Sequence, residues 1–140
     1  MAITPERAAE PTDAPALDHV VVYSSDPAAG RAFYRCLLGL LGFVERRPGT
    51  FARAGLVFDV RAADAARPPR RRGEPGIDHV GFAAGSRAQV DRIDAAVQAA
   101  GIAARRIVEF DDGAYALFVT DPDGLRIELT CYPAGAAAVD

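Results

Sequence analysis

Leu17-Asp18-His19-Val20 and Ile77-Asp78-His79-Val80 are one tetrapeptide in outline, set sixty residues apart, and they hold the two histidines of the chain. Each opens a run that reads as a β-strand. A second matched pair lies downstream. Gly55-Leu56-Val57-Phe58-Asp59-Val60 aligns position for position with Gly124-Leu125-Arg126-Ile127-Glu128-Leu129, offset by sixty-nine. Asp59 and Glu128 take the same place in a short alternating strand. A carboxylate is costly to bury without a partner, but on a strand Ile127 and Leu129 face away from Glu128. Each half therefore begins with a strand histidine and ends with a strand carboxylate. Two imidazoles with one or two carboxylates suit a first-row divalent metal. The competing reading is that a repeat preserves an inert histidine.

Outward from these segments the same order of elements repeats. In the first half Leu17 to Ser24 reads as a strand, and Asp26-Pro27 as the cap and first position of a helix. That helix runs to about Leu38 with Phe33 and Leu37 on a buried stripe, ended by Gly39 and Gly42. Phe43 to Arg47, Phe51 to Ala54 and Leu56 to Ala62 follow as strands, the first two joined at Pro48-Gly49. In the second half Ile77 to Ala84 is a strand. Ser86-Arg87-Ala88-Gln89 has the form of a capping box, and Val90, Ile93 and Val97 follow at helical spacing before Gly101. Ile102 to Phe110, Ala114 to Thr120 and Leu125 to Cys131 are strands, with turns at Asp111-Asp112-Gly113 and Asp121-Pro122-Asp123-Gly124. The fold class is α+β, two tandem β-α-β-β-β modules covering 16–64 and 77–132. Residues 65–76, with Arg67-Pro68-Pro69-Arg70-Arg71-Arg72, read as a solvated linker or mobile loop; the alternative is an anion clamp beside a site. Residues 1–15 and 133–140 read as flexible tails.

The 140 residues are half apolar and carry a net charge of −3, which argues against nucleic acid as a partner. All the basic side chains are arginine. No stretch approaches the roughly 20 apolar residues of a membrane span. The N-terminal segment lacks an apolar signal core, so a cytoplasmic location is expected. Cys36 and Cys131 lack metal-binding or redox spacing and fit a reducing compartment. Cys36 reads as a core residue. A thiol nucleophile at Cys131 would need a third histidine as base.

The repeated module plan, the strand histidines, Phe33-Tyr34-Arg35 with Leu38-Gly39-Leu40-Leu41-Gly42-Phe43, and above all Asp121-Pro122-Asp123-Gly124-Leu125-Arg126-Ile127-Glu128-Leu129 resemble the vicinal oxygen chelate superfamily. That group contains glyoxalase I, extradiol dioxygenases, methylmalonyl-CoA epimerase, fosfomycin-inactivating thiol transferases and bleomycin-binding proteins. The resemblance spans about Ala16 to Tyr132. It implies two modules whose curved mixed sheets form a cleft, within one chain or by exchange between two. It also implies a metal set of His19, Asp59, His79 and Glu128, holding Fe, Mn, Co, Ni or Zn. At the position of Asp59 glyoxalase-like members usually have Glu, and dioxygenases no ligand, which tilts the reading toward glyoxalase or epimerase chemistry. Glu128 or Asp59 would act as the catalytic base.

Arg126, Thr130 and Tyr132 share the strand face of Glu128. Arg126 and Tyr132 are thus candidate substrate contacts, and the resemblance adds Tyr115, whose alternative is packing. Asp18 and Asp78 are expected to face away from their histidines. The implied function is a metal-dependent lyase, isomerase or dioxygenase acting on a small oxygenated substrate. The alternatives are a metal-free drug-binding protein of the bleomycin-resistance type and an antibiotic-inactivating thiol transferase. A homodimer is expected, because members of this length commonly pair and open sheet edges favour pairing.

Overall fold

A computed structural model describes residues 13–134. The tails expected at 1–15 and 133–140 lie almost wholly outside the described residues. The element order is β1 (His19–Ser24), α1 (Pro27–Leu40), β2 (Val44–Arg47), β3 (Thr50–Arg53), β4 (Leu56–Ala62), β5 (His79–Ala83), α2 (Arg87–Ala99), β6 (Arg105–Glu109), β7 (Tyr115–Thr120) and β8 (Arg126–Cys131). Every element expected from the sequence is present, with ends moved by up to three residues. Gly39 lies inside α1 rather than ending it, and the left-handed backbone comes at Gly42, with φ 85°.

Each module forms its own mixed four-stranded sheet, in the orders β1-β4-β3-β2 and β5-β8-β7-β6. The first and last strands of each module pair in parallel, and the remaining pairs are antiparallel. That topology needs a helical crossover between the first two strands of each module. Both crossovers are capped as the sequence predicts. The Asp26 carboxylate accepts from the Ala28 and Ala29 amides at 3.1 Å, behind Pro27. Ser86 Oγ accepts from the Gln89 amide at 3.1 Å, and Gln89 reaches back to the Gly85 amide at 2.8 Å.

One face of each sheet packs against the helices. Phe33, Leu37, Phe58, Val90, Val97 and Leu117 belong to one buried cluster that draws on both modules. Burial of side chains of this size contributes about 1.5–3 kcal/mol each. The Tyr34 ring, 1% exposed, packs on Phe58 with centroids 5.0 Å apart. Its hydroxyl donates to Asp121 Oδ2 at 2.7 Å, across the module boundary. Asp121 Oδ1 accepts from the amides of Asp123 and Leu125 at 2.9 and 2.8 Å, which shapes the turn before β8. Burial raises the Asp121 carboxyl above its usual range, against these hydrogen bonds.

The linker is exposed along most of its length and is fastened at Arg70. The Arg70 amide donates to Asp123 O at 2.9 Å, and the Arg70 guanidinium donates to Ile77 O at 2.6 Å. Gly124, at φ 87°, meets the Arg70 backbone so closely that an added Cβ would stand 2.5 Å from its carbonyl oxygen. Asp123 also accepts from the Ser25 amide at 3.1 Å. The Asp121–Gly124 turn therefore gathers α1, β1 and the linker at one point. Replacing Tyr34 by Phe leaves a buried Asp121 oxygen without its donor, and denaturant unfolding should show a loss of about 1–3 kcal/mol.

Candidate functional site

The outward face of the second sheet follows from its register. Gly81, Glu128, Phe118 and Arg106 lie in one cross-strand row, and His79, Arg126 and Thr120 in the next. His79 Nε2 stands 2.9 Å from Glu128 Oε2. Thr130 Oγ1 donates to the other Glu128 oxygen. On the far side of the ring, His79 Nδ1 is 2.7 Å from Asp78 Oδ2. The ring meets Phe118 edge-on at 5.8 Å. Gly81 lies opposite Glu128, where an added Cβ would make ordinary contact with the carboxylate at 3.7 Å. These groups line a cleft of about 350 Å³ together with Tyr132, Phe110, Arg72 and Arg126. A larger depression of about 490 Å³ around Gly101 and Ile107 has no histidine, carboxylate or aromatic ring in its lining.

Asp78 and Asp18, expected to face away from their histidines, do not. Asp78 holds His79 and also accepts from Arg126. The hydrogen bond from His79 comes first among the causes that lower the Asp78 carboxyl. A carboxylate on Nδ1 fixes the ring and leaves Nε2 to face the cleft. Asp18 does the same for His19, with Asp18 Oδ2 at 2.7 Å from Nδ1. The repeated Asp-His dipeptide was the available signal, and strand alternation hid it, because both aspartates lie just before their strands.

The first sheet carries the matching pair in the same register. Val21 opposes Asp59 as Gly81 opposes Glu128. There the likeness stops. Asp59 accepts from Thr50 Oγ1 and Arg61 Nε, both at 2.7 Å. Burial pushes its carboxyl upward, but Thr50 and Arg61 outweigh that and hold it below the usual range. Its side chain is 13% exposed. His19 is open to solvent, its side chain 60% exposed. The four expected ligands thus lie two on each sheet, and only His79 and Glu128 are in contact. Among the described residues, no three His, Cys, Asp or Glu side chains converge to hold a metal.

The other expected contacts divide. Arg126 and Tyr132 line the cleft beside Glu128, with the Arg126 guanidinium 5.0 Å over the Phe118 ring. Tyr115 does not. It lies on the opposite strand face, where its hydroxyl donates to Asp91 at 2.6 Å and its ring sits 4.9 Å beneath the Arg87 guanidinium. Odd-numbered β7 residues face the helices, so the packing alternative holds for Tyr115. Phe118, on the cleft side, is the aromatic that the sequence reading missed. Cys36 and Cys131 are free and half-buried.

Removing Arg61 strips Asp59 of its cationic partner. In an Arg61→Ala variant the Asp59 titration followed by carboxyl-carbon NMR should move up toward the ordinary range. The lowered carboxyl stabilises the fold above that range, a contribution lost as pH falls through the lowered value; the variant should lose it at higher pH than the parent.

The family model described as the Glyoxalase/Bleomycin resistance protein/Dioxygenase superfamily matches residues 16–129. YqjT, an uncharacterized protein of Bacillus subtilis, is 30% identical over 126 residues, covering 81% of this chain and 96% of the relative. Lactoylglutathione lyase from Agrobacterium tumefaciens is 26% identical, with a TM-score of 0.60 over 85% of this chain and 95% of that structure. A glyoxalase/bleomycin resistance protein/dioxygenase from Nocardioides shares the fold at a TM-score of 0.67 and 18% identity, over 94% and 92% of the two chains.

Proposed function

The chain belongs to the glyoxalase/bleomycin resistance protein/dioxygenase superfamily, and we propose that it is a metal-dependent enzyme of the glyoxalase type, acting on a small oxygenated molecule as a lyase, isomerase or dioxygenase. The observation that carries this reading is the His79–Glu128 pair, 2.9 Å apart, with Asp78 behind the imidazole. An imidazole Nε2 and a carboxylate are donors suited to Fe, Mn, Co, Ni or Zn. Bound there, a divalent ion would supply Lewis-acid stabilisation of charge developing on substrate oxygens.

His79 and Glu128 are half of a ligand set. The other half is His19, with Asp59, on a sheet face that leaves Tyr23 61% and Val44 52% exposed. A homodimer that lays the first sheet of one chain over the second sheet of its partner covers these apolar side chains and completes the set. In that arrangement His19, His79 and Glu128 hold the metal. Asp59 is one methylene shorter than Glu and already bonded to Arg61 and Thr50, so it orders the rim instead. Glu128, held by Thr130, would be the group to accept a proton from a substrate lying beside Phe118 and Tyr132, which line the same cleft.

Reloading with Fe(II), Mn(II), Co(II), Ni(II) and Zn(II) under anaerobic conditions should give stoichiometric binding that His79→Ala abolishes. Asp78→Asn should weaken it by about 10–100-fold. Full metal occupancy in His79→Ala would sink the assignment. Mixing His19→Ala with His79→Ala chains separates the two architectures. A site shared between chains regains roughly a quarter of its binding, since half the dimers are mixed and each has one intact site; a site within one chain regains none.

A metal-free binding protein is the second reading. Phe110, Phe118 and Tyr132 give the cleft an aromatic lining suited to a bulky ligand. Tight binding of an aromatic drug, undiminished by chelator, in a protein that takes up no metal would favour it.

A further inference from the structure

Beside the His79–Glu128 cleft lies a second depression of about 270 Å³, lined by Arg72, Arg105, Arg106, Phe118, Thr120 and Arg126. It shares Arg72, Phe118 and Arg126 with the cleft, so the two adjoin. Four guanidinium groups border it and no carboxylate does. Arg126 is offset by Asp78, and Arg105 by Asp94. Arg72 and Arg106 take part in no ion pair among the described residues. Two positive charges are therefore left facing one small space.

Neither side chain is there by the accident of a loose loop. Arg106 stands in the cross-strand row of Phe118 and Glu128, on the outward face of β6. Arg72 follows the docked Arg70, whose amide is bonded to Asp123 and whose backbone lies against Gly124. The linker thus carries Arg72 to the rim of the cleft. Arginine placed this way favours planar, bidentate recognition of oxyanions over a diffuse attraction. A singly charged carboxylate would be matched by one guanidinium. The uncompensated pair here matches a doubly charged group.

We propose that Arg72 and Arg106, together with Arg126, form a subsite for a phosphate-type dianion carried by the substrate. The proposal deepens the enzymatic reading, since it rests on the same cleft, but it needs no metal. Its ligand is a small molecule with an oxygenated reacting end at His79 and Glu128 and a phosphate-type end over Thr120. Arg72 and Arg106 are binding residues and take no part in proton transfer.

The test uses the full chain treated with chelator, so that phosphate has no metal to bind. Inorganic phosphate is titrated against amide shifts of Phe118, Thr120 and Arg126, with acetate at equal ionic strength as the monoanion control. The expected result is saturable binding of phosphate and much weaker binding of acetate. The double variant Arg72→Gln, Arg106→Gln should weaken phosphate at least about tenfold, a loss of about 1.4 kcal/mol. Both side chains are exposed, so the variant keeps the parent's dispersed amide spectrum. Unchanged phosphate binding in the variant, or shifts that track ionic strength equally for both anions, would overturn the subsite. Failure of the enzymatic reading looks different: metal uptake is absent while the phosphate titration is unaffected.

Discussion

The hydrogen bond from Tyr34 to Asp121 is the contact on which the placement of the site depends. It joins the helix of the first module to the turn that launches the last strand of the second. The carboxylate does two things at once. One oxygen closes the turn through two backbone amides, and the other accepts the buried phenol. Water cannot replace either partner at this depth, so the turn has a single acceptable position relative to α1. Burial raises the tyrosine hydroxyl as well, followed by the charge of Asp121, which keeps the phenol a donor. From that turn β8 emerges with Arg126, Glu128 and Thr130 in a fixed phase.

The two modules show how far duplicated segments diverge within one register. Both keep an Asp-His start, and both put a carboxylate two residues along the partner strand's register. Glu128, opposite Gly81, reaches the imidazole. Val21 stands at the matching position, and the shorter Asp59 bonds to Thr50 and Arg61. One half retains a converging acid–imidazole pair, and the other has converted its carboxylate into a structural anchor. The asymmetry lies in side-chain length and partners, with the strand pairing unchanged.

Much of this was legible in the sequence because it depended on local rules. Period-two alternation, a Pro after a capping Asp, and glycine at left-handed positions named every element. The resemblance around Asp121–Leu129 supplied the arrangement of the modules. What escaped depended on contacts distant in sequence. That Tyr115 faces α2 is a matter of strand phase, and one position's shift from Phe118 reverses it. That Asp78 supports His79 depends on a side chain bending back from a residue outside its strand. That the arginine-rich linker is held depends on a glycine more than fifty residues away, which no local composition reveals.

The close approach of Gly124 to Arg70 has a consequence for how such a protein can change. The converging acid and imidazole belong to strands whose register admits no slippage. Arg72, at the rim, belongs instead to a connector fastened at Arg70 and, through Arg67, at Ser25. The Arg71 and Arg72 side chains are exposed on that connector and can be exchanged without touching a strand. The acid–imidazole pair and the charge of Arg72 thus sit on separately variable parts of one chain.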